Sequence, residues 1–200
     1  MRYDVIYADP PWFYNSRKPG AERKDPTRFG GGAEKHYPLM RDAELMALRC
    51  MIDELAAPNS ALFLWATMPR LDFALHLIEG WGFRYTTTAF VWIKRTASGG
   101  LIFNPGYYTA SNAEIVLLGV RGSMRPDRPM IQQVIEAPRG RHSQKPEEAR
   151  RRIEQMYPNT ARIELFARPP HPLGWNVWGD EAQGAVNGPE KSIEPVGLGD

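Results

Sequence analysis

Asp9, Pro10, Pro11 and Trp12 stand in a row at the end of the apolar run Val5-Ile6-Tyr7-Ala8. Two consecutive prolines fix φ and withhold two backbone N–H groups, so the run reads as a buried strand ending in a stiff turn. The turn carries two acceptors, the Asp9 carboxylate and the Pro10 carbonyl, and an aromatic face from Trp12 or Tyr14. An amine conjugated to an aromatic ring is a poor nucleophile because its lone pair is delocalised into that ring. A site that methylates such an amine should accept hydrogen bonds from the NH2 group, so that the nitrogen rehybridises as it attacks, and should hold the base flat against a ring. Proximity to an activated methyl group supplies the rest, with no metal required. The four residues alone are equally compatible with a plain strand-ending turn, so the rest of the chain has to decide.

The elements that would position this turn come next along the chain. Residues 13–36 show neither helical nor strand periodicity; a loop this long is functional or disordered in most compact domains. Its Gly30-Gly31-Gly32 run lacks the leading strand and the following Lys-Ser/Thr helix of a phosphate-cradling loop, so it reads as a flexible stretch. Pro38 and Asp42 open an amphipathic helix through Leu45, Met51, Ile52 and Leu55, expected to end at Pro58-Asn59. A buried strand at 61–67, a helix at 68–80 and a strand at 83–95 come after it. Lys94-Arg95 then opens into a second loop, 96–112, rich in Gly, Pro and Asn and carrying Tyr107 and Tyr108. Strands are expected at 113–122 and 161–168. The stretch 130–138 reads as a strand, with a helix as the alternative, and Pro146 starts a helix whose first turn holds Glu147 and Glu148. The alternation predicts an α/β fold, a mostly parallel sheet with helices on both faces.

Composition bounds the rest. In 200 residues, 24% charged and 42% hydrophobic, no run approaches a membrane span and no basic-then-apolar leader precedes the first strand. A soluble protein with no membrane partner is expected. The single cysteine, Cys50, rules out an intrachain disulfide framework and reads as a small buried apolar residue. Net charge is only +2, but Arg and Lys cluster at 17–28, 121–128 and 139–152, either as solvated surface or as the lining of a polyanion groove. Trp65, Trp81 and Trp92 read as core, Trp175 and Trp178 as packing anchors, and His76 as an ordinary structural or surface residue. His142 is either a cap before the Pro146 helix or a partner for a carboxylate or phosphate.

The order of short motifs is more specific than any one of them. Asp-Pro-Pro-Trp after an apolar strand, LFLWAT, VWIK, the run from Glu114 to Leu118-Gly119-Val120-Arg121-Gly122, HSQKPEE, IELFAR and GWNVWGDE occur in a succession that resembles the MT-A70 family, S-adenosylmethionine-dependent adenine N6 methyltransferases. The likeness runs from about Tyr3 to Gln183. It implies a Rossmann-like class I methyltransferase sheet in permuted order, the catalytic strand first and the cofactor strand near the C-terminus. Residues 1–184 would form one methyltransferase domain, and 185–200 a disordered tail. Carried residue by residue, the resemblance makes Asp9, Pro10, Pro11 and Trp12 the catalytic turn. Tyr14, Tyr37, Lys94, Tyr107 and Tyr108 would face the substrate. Asp9, Lys145, Pro146, Glu164, Phe166, Arg168, His171, Asn176, Asp180 and Glu181 would bind S-adenosylmethionine, with no metal.

On this reading the expected activity is methyl transfer to adenine in DNA, of the prokaryotic or phage DNA-modifying type, in the cytoplasm of a bacterial or phage-infected cell. No RNA-binding domain is read in these residues, although RNA is the alternative substrate. An inactive methyltransferase-like subunit that binds nucleic acid or a partner is the other. The target base must leave the duplex to reach Asp9, so the loops 13–36 and 99–112 would close over it, their lysines and arginines holding phosphates. A module that must grip a duplex can do so as a homodimer.

Overall fold

Tyr3–Ala8 forms strand β1, and all but one of its six residues are buried. A strand covered on both faces belongs in the middle of a sheet, and the computed structural model places it there. The structure describes residues 1–13, 39–106, 108–140, 144–169 and 171–179. After β1 come helix α1 (Asp42–Ala47), α2 (Arg49–Leu55), β2 (Ala56–Ala66), a 3-10 turn at Met68–Arg70, α3 (Leu71–Gly80), β3 (Arg84–Arg95) and β4 (Ala113–Arg121). β5 (Val134–Pro138), α4 (Glu147–Met156), β6 (Arg162–Leu165) and β7 (Asn176–Trp178) complete the described elements. The seven strands lie in the order β5-β3-β4-β2-β1-β6-β7.

β1 pairs in parallel with β2 on one side and β6 on the other, β6 with β7, and β3 with β5. Among the described strands β4 alone runs backwards, antiparallel to both β2 and β3. The mostly parallel α/β sheet is therefore observed, with one reversal that the chain explains: no helix separates β3 from β4, and a connection without a crossover returns antiparallel. Its consequence is positional. The start of β4 lies beside the end of β3, at the edge where β1, β2 and β6 also end.

Alternation along β1 divides the core into two layers. Ile6 and Ala8 face α1, α2 and α3 with Leu45, Ile52, Leu77, Ile78 and Trp81. Val5 and Tyr7 face α4 with Phe63, Trp65, Trp92, Ala149, Ile153 and Trp175. Trp65, Trp81 and Trp92 are core residues as expected, Trp175 is buried, and Trp178 packs against the first layer.

Several boundaries differ from expectation. The first helix is broken at Leu48, and its second half ends at Leu55 rather than at Pro58-Asn59. Pro58 and Asn59 instead stand exposed in an irregular start of β2, where the pairing jumps from Tyr3↔Ala56 to Val5↔Ala61. Cys50 is exposed, not buried, because α2 turns Met51, Ile52 and Leu55 inward. β6 stops at Leu165 because Phe166 adopts φ 59°, and the Gly-Trp-Asn-Val-Trp stretch supplies an edge strand, β7. The stretch 130–138 resolves to a strand over its second half. No helix among the described residues is long and apolar enough to cross a membrane. The Gly30–Gly32 run, His142 and the 185–200 tail lie outside the described residues.

Candidate active site

The Asp9-Pro10-Pro11-Trp12 turn is pinned by its own backbone. The Trp12 N–H donates to the Pro10 carbonyl at 2.8 Å, a three-residue turn that occupies one lone pair of the carbonyl expected to act as acceptor. The Met40 N–H donates to the Pro11 carbonyl at 2.9 Å and the Phe13 N–H to the Met40 carbonyl at 3.2 Å, which ties residues 11–13 to residue 40. These bonds hold Asp9 at the C-terminal end of β1 on the α4 side, one residue beyond Ala8, while the chain turns Trp12 to the opposite layer.

Trp12, one of the two rings expected to face the base, is buried. Its ring is 4% exposed and packs edge-on against Phe73 at 6.2 Å, and its buried Nε1 has no hydrogen-bond partner among the described residues. The turn's stiffness and the ring's burial are one feature: Trp12 anchors the turn into the α1–α3 layer.

Around Asp9 the sheet edge assembles two carboxylates and two ammonium groups. Lys145 Nζ lies 2.9 Å from Asp9 Oδ1 and 3.3 Å from Glu114 Oε2. Lys94 Nζ donates to Glu114 Oε1 at 2.6 Å. Lys94 comes from the end of β3, Glu114 from the start of β4 and Lys145 from the segment before α4. The reversal of β4 is what brings them to one edge. Both ammonium groups rest on indole rings, Lys145 over Trp65 and Lys94 over Trp92, each 5.2 Å from the ring centroid. Lys145 and Pro146 were expected beside a cofactor and Lys94 beside the substrate; the structure adds that both lysines converge on Glu114.

The electrostatics arise from burial and from this pairing. Burial pushes the proton affinity of Asp9 above that of an ordinary carboxylate; Lys145 opposes this and Glu114 adds to it. At Glu114 burial acts in the same sense, but Lys145 and Lys94 outweigh it and hold the group below the usual glutamate range. Burial disfavours the charge on Lys145, yet Asp9 and Glu114 overcome it and raise its proton affinity above the ordinary lysine value. The cluster is therefore a locked set of ions with Asp9 as its most basic carboxylate.

Beneath it lies a second ion pair. Glu164, which neighbours Tyr7 in the register, accepts from Arg150 at 2.6 Å. Burial raises the Glu164 carboxyl despite Arg150, and burial likewise raises the Tyr7 hydroxyl well above its ordinary value. Tyr7 Oη accepts from Trp65 Nε1 at 2.5 Å. Of the basic run Arg150–Arg152, only Arg151 is a solvated side chain: Arg150 is committed to Glu164 and Glu147. Arg152 bonds Glu148 and the carbonyl of Val134, at 2.8 Å for the latter. The Arg121–Arg128 cluster lies at the other end of β4, away from Asp9, where Arg121 pairs with Asp53 at 2.7 Å.

The chain leaving β6 starts beside Asp9, because Leu165 pairs with Ala8. Phe166 holds a left-handed backbone and meets Trp178 edge-on at 5.5 Å. A non-glycine residue in that conformation is uncommon and marks a constrained position. Arg168 is close enough to favour the ionised form of Asp9. His171 Nδ1 is buried without a hydrogen-bond partner among the described residues, a state that costs about 1–3 kcal/mol unless a ligand or water fills it. Asn176 is placed differently from these: its amide donates to Tyr3 Oη at 2.6 Å, in from the edge. Tyr108 is 98% exposed. Tyr14, Tyr37, Tyr107, Asp180 and Glu181 lie outside the described residues. Among the described residues no group of three or more His, Cys, Asp or Glu is placed to hold a metal.

Glu114 is the residue that sequence reasoning left out of the site. Its signal was a lone carboxylate opening an otherwise apolar strand immediately after an uncharged loop. Only the reversal of β4 shows which edge it joins.

The family model described as MT-A70 matches residues 3–181. Over 190 residues the chain is 36% identical to the type II methyltransferase M.MunI of Mycoplasma sp, which covers 90% of this chain and 78% of that protein. It is 25% identical over 185 residues to an N(6)-adenosine-methyltransferase MT-A70-like protein of Arabidopsis thaliana, covering 91% of this chain and 24% of that protein. It is also 25% identical over 187 residues to the N(6)-adenosine-methyltransferase catalytic subunit METTL3 of Homo sapiens, covering 92% of this chain and 29% of that protein.

Proposed function

The chain belongs to the MT-A70 family, and from that premise we propose that it transfers a methyl group from S-adenosylmethionine to the N6 amine of adenine in DNA. The observation that carries the reading is the Asp9 carboxylate, fixed at the end of β1 by Lys145 at 2.9 Å and made more basic than usual by burial. The choice of DNA rests on the likeness to a bacterial type II methyltransferase, which is stronger and covers far more of that protein than the likeness to N(6)-adenosine-methyltransferases. RNA is the alternative substrate.

The residues on the β6 side fit the cosubstrate. Arg168 offers a cation, the orphaned Nδ1 of His171 lacks the partner that a polar ligand would provide, and Phe166 offers a ring in a constrained backbone. S-adenosylmethionine, when bound, supplies a methyl group on a positively charged sulfur. Asp9 accepts a hydrogen bond from the adenine NH2, drawing the nitrogen lone pair out of conjugation. As the new N–C bond forms, the amine becomes acidic, and Asp9 is the carboxylate best placed to take up the displaced proton. Lys145 orients that carboxylate, Glu114 holds Lys145, and Lys94 neutralises Glu114, so the acceptor is aimed before the base arrives.

The test is transfer of a labelled methyl group to adenine-containing DNA and to RNA by wild type and Asp9→Asn. Wild type labels adenine in DNA and the variant loses at least roughly a hundredfold. Equal transfer by both proteins overturns the role of Asp9, and labelling confined to RNA overturns the choice of substrate.

A further inference from the structure

The segment joining β3 to β4 is unusual in composition and in exposure. Residues 96–112 contain no Asp, Glu, Lys or Arg, in a chain of which 24% is charged. Yet Leu101 is 53%, Phe103 79% and Tyr108 98% exposed. Apolar side chains gathered on one uncharged loop mark a surface that a partner covers.

The root of this loop is the active-site cluster itself. The Lys94 N–H donates to the Asn112 carbonyl at 2.9 Å and the Ile102 N–H to the Lys94 carbonyl at 3.1 Å. Lys94 is the residue whose ammonium meets Glu114. Leu101 bridges to Arg95 across the strand direction, and the Ser111 N–H donates to the Asn104 carbonyl at 2.8 Å, closing the loop on itself. Leu101 and Phe103 are both exposed with the half-buried Ile102 between them, and Pro105 restricts the chain just beyond. At the neck the Arg95 guanidinium is paired with Glu136 at 2.9 Å, while the Arg95 carbonyl accepts from the N–H of Arg139 at 3.2 Å; Arg139 is exposed and has no ion pair among the described residues. The loop was expected to hold phosphates with its own lysines and arginines; it has none, and the charges sit at its base.

An uncharged apolar tip with the Arg139 guanidinium at its neck, rooted beside a site that on the reading above receives an extruded adenine, complements a duplex: bases at the tip, a phosphate at the neck. Resting on the DNA reading above, we infer that Phe103, with Leu101 beside it, is a wedge that enters the base stack and fills the space left by the flipped adenine. A flipped base leaves a gap whose unstacking opposes extrusion, and an apolar side chain in that gap offsets the loss. Phe103 would then be needed for duplex DNA and dispensable where no stack has to be opened.

The experiment compares wild type, Phe103→Ala and Phe103→Trp on one plasmid DNA, native and heat-denatured, by labelled methyl transfer. The unfolding midpoint and sedimentation of each protein are recorded. Phe103→Ala should lose roughly tenfold or more on native DNA, stay within about twofold of wild type on denatured DNA, and be restored on native DNA by Phe103→Trp. Equal effects of Phe103→Ala on both DNA forms, or no effect on either, overturn the wedge and leave the methyl-transfer reading intact. So does a wild type active on denatured DNA alone. Loss of self-association in Phe103→Ala would show that a second copy covers this surface and would overturn the wedge. A wild type that labels neither DNA form overturns the DNA reading and the wedge together.

Discussion

Lys145 is the residue whose removal tests the ion cluster most directly. Substituting it with methionine keeps most of the side-chain volume over Trp65 but deletes the ammonium 2.9 Å from Asp9 and 3.3 Å from Glu114. Glu114 keeps Lys94 at 2.6 Å; Asp9 loses its ion-pair partner. Breaking a buried pair costs about 3–5 kcal/mol, and because the Lys145 and Asp9 side chains retain 16% and 19% exposure, the lower end, about 3 kcal/mol, applies. For a chain of this size that corresponds to a fall of about 6–12 °C in the unfolding midpoint.

The pH dependence separates this account from a simple packing defect. In wild type the contribution of Lys145, whose proton affinity is raised, is fully present below the ordinary lysine range and is lost only as pH rises above it. That of Glu114, whose proton affinity is lowered, is present above the ordinary glutamate range and is lost as pH falls below it. Both are constant at intermediate pH. Asp9 is raised already, and without Lys145 it rises further, so the folded variant binds a proton that the unfolded chain does not. Stability of the variant therefore increases as pH falls through that window, and the deficit measured by urea unfolding should be larger at about pH 8 than at about pH 5.5. Adding Asp9→Asn to the variant should recover part of the loss, with a coupling of about 1–3 kcal/mol in the double-mutant cycle. A deficit equal at the two pH values, or below about 1 kcal/mol at both, would refute the reasoning.

Three more outcomes rest on the same geometry. Trp12→Ala should cost about 3–5 kcal/mol in chemical unfolding, since the ring is 4% exposed against Phe73, and Trp12→Phe far less; a variant as stable as wild type would return Trp12 to the lip of the site. Arg150→Met should destabilise by about 3 kcal/mol by leaving Glu164 buried without its partner, whereas the exposed Arg151→Ala should leave the unfolding midpoint unchanged. In Gly179→Ala the new Cβ would stand 2.9 Å from the Ala167 nitrogen and 3.0 Å from Phe166 Cα, backbone atoms that cannot swing aside. The variant should lose about 1–3 kcal/mol and bind S-adenosylmethionine more weakly by calorimetry; unchanged stability and affinity would show that the β6–β7 segment adjusts freely.

The features legible along the chain were those that depend on local chemistry. Two prolines dictate a stiff turn wherever they occur, and doubly buried apolar runs dictate interior strands, so β1, β2, the α3 helix, the parallel sheet and the Asp9 turn were legible. The resemblance of motif order reached the family for the same reason, because motifs are local. The features that stayed hidden depend on direction and distance. A strand of Ala113–Arg121 composition looks the same whichever way it runs; only pairing with β2 and β3 shows that it is reversed and delivers Glu114 to Lys94 and Lys145. The face that Trp12 takes depends on how Pro11 and Phe13 are tied to Met40, residues far apart along the chain. Phe166 ends β6 through a backbone conformation, and Asn176 turns to Tyr3, contacts with no local signature. The sequence by itself determined the carboxylate turn and the layers that bury it. The tertiary structure alone decided which charges meet Asp9, because a charge acts through distance in space. Asp9, Lys94, Glu114 and Lys145 are spread over more than half the chain, and only the sheet links them by contacts of 2.6, 2.9 and 3.3 Å.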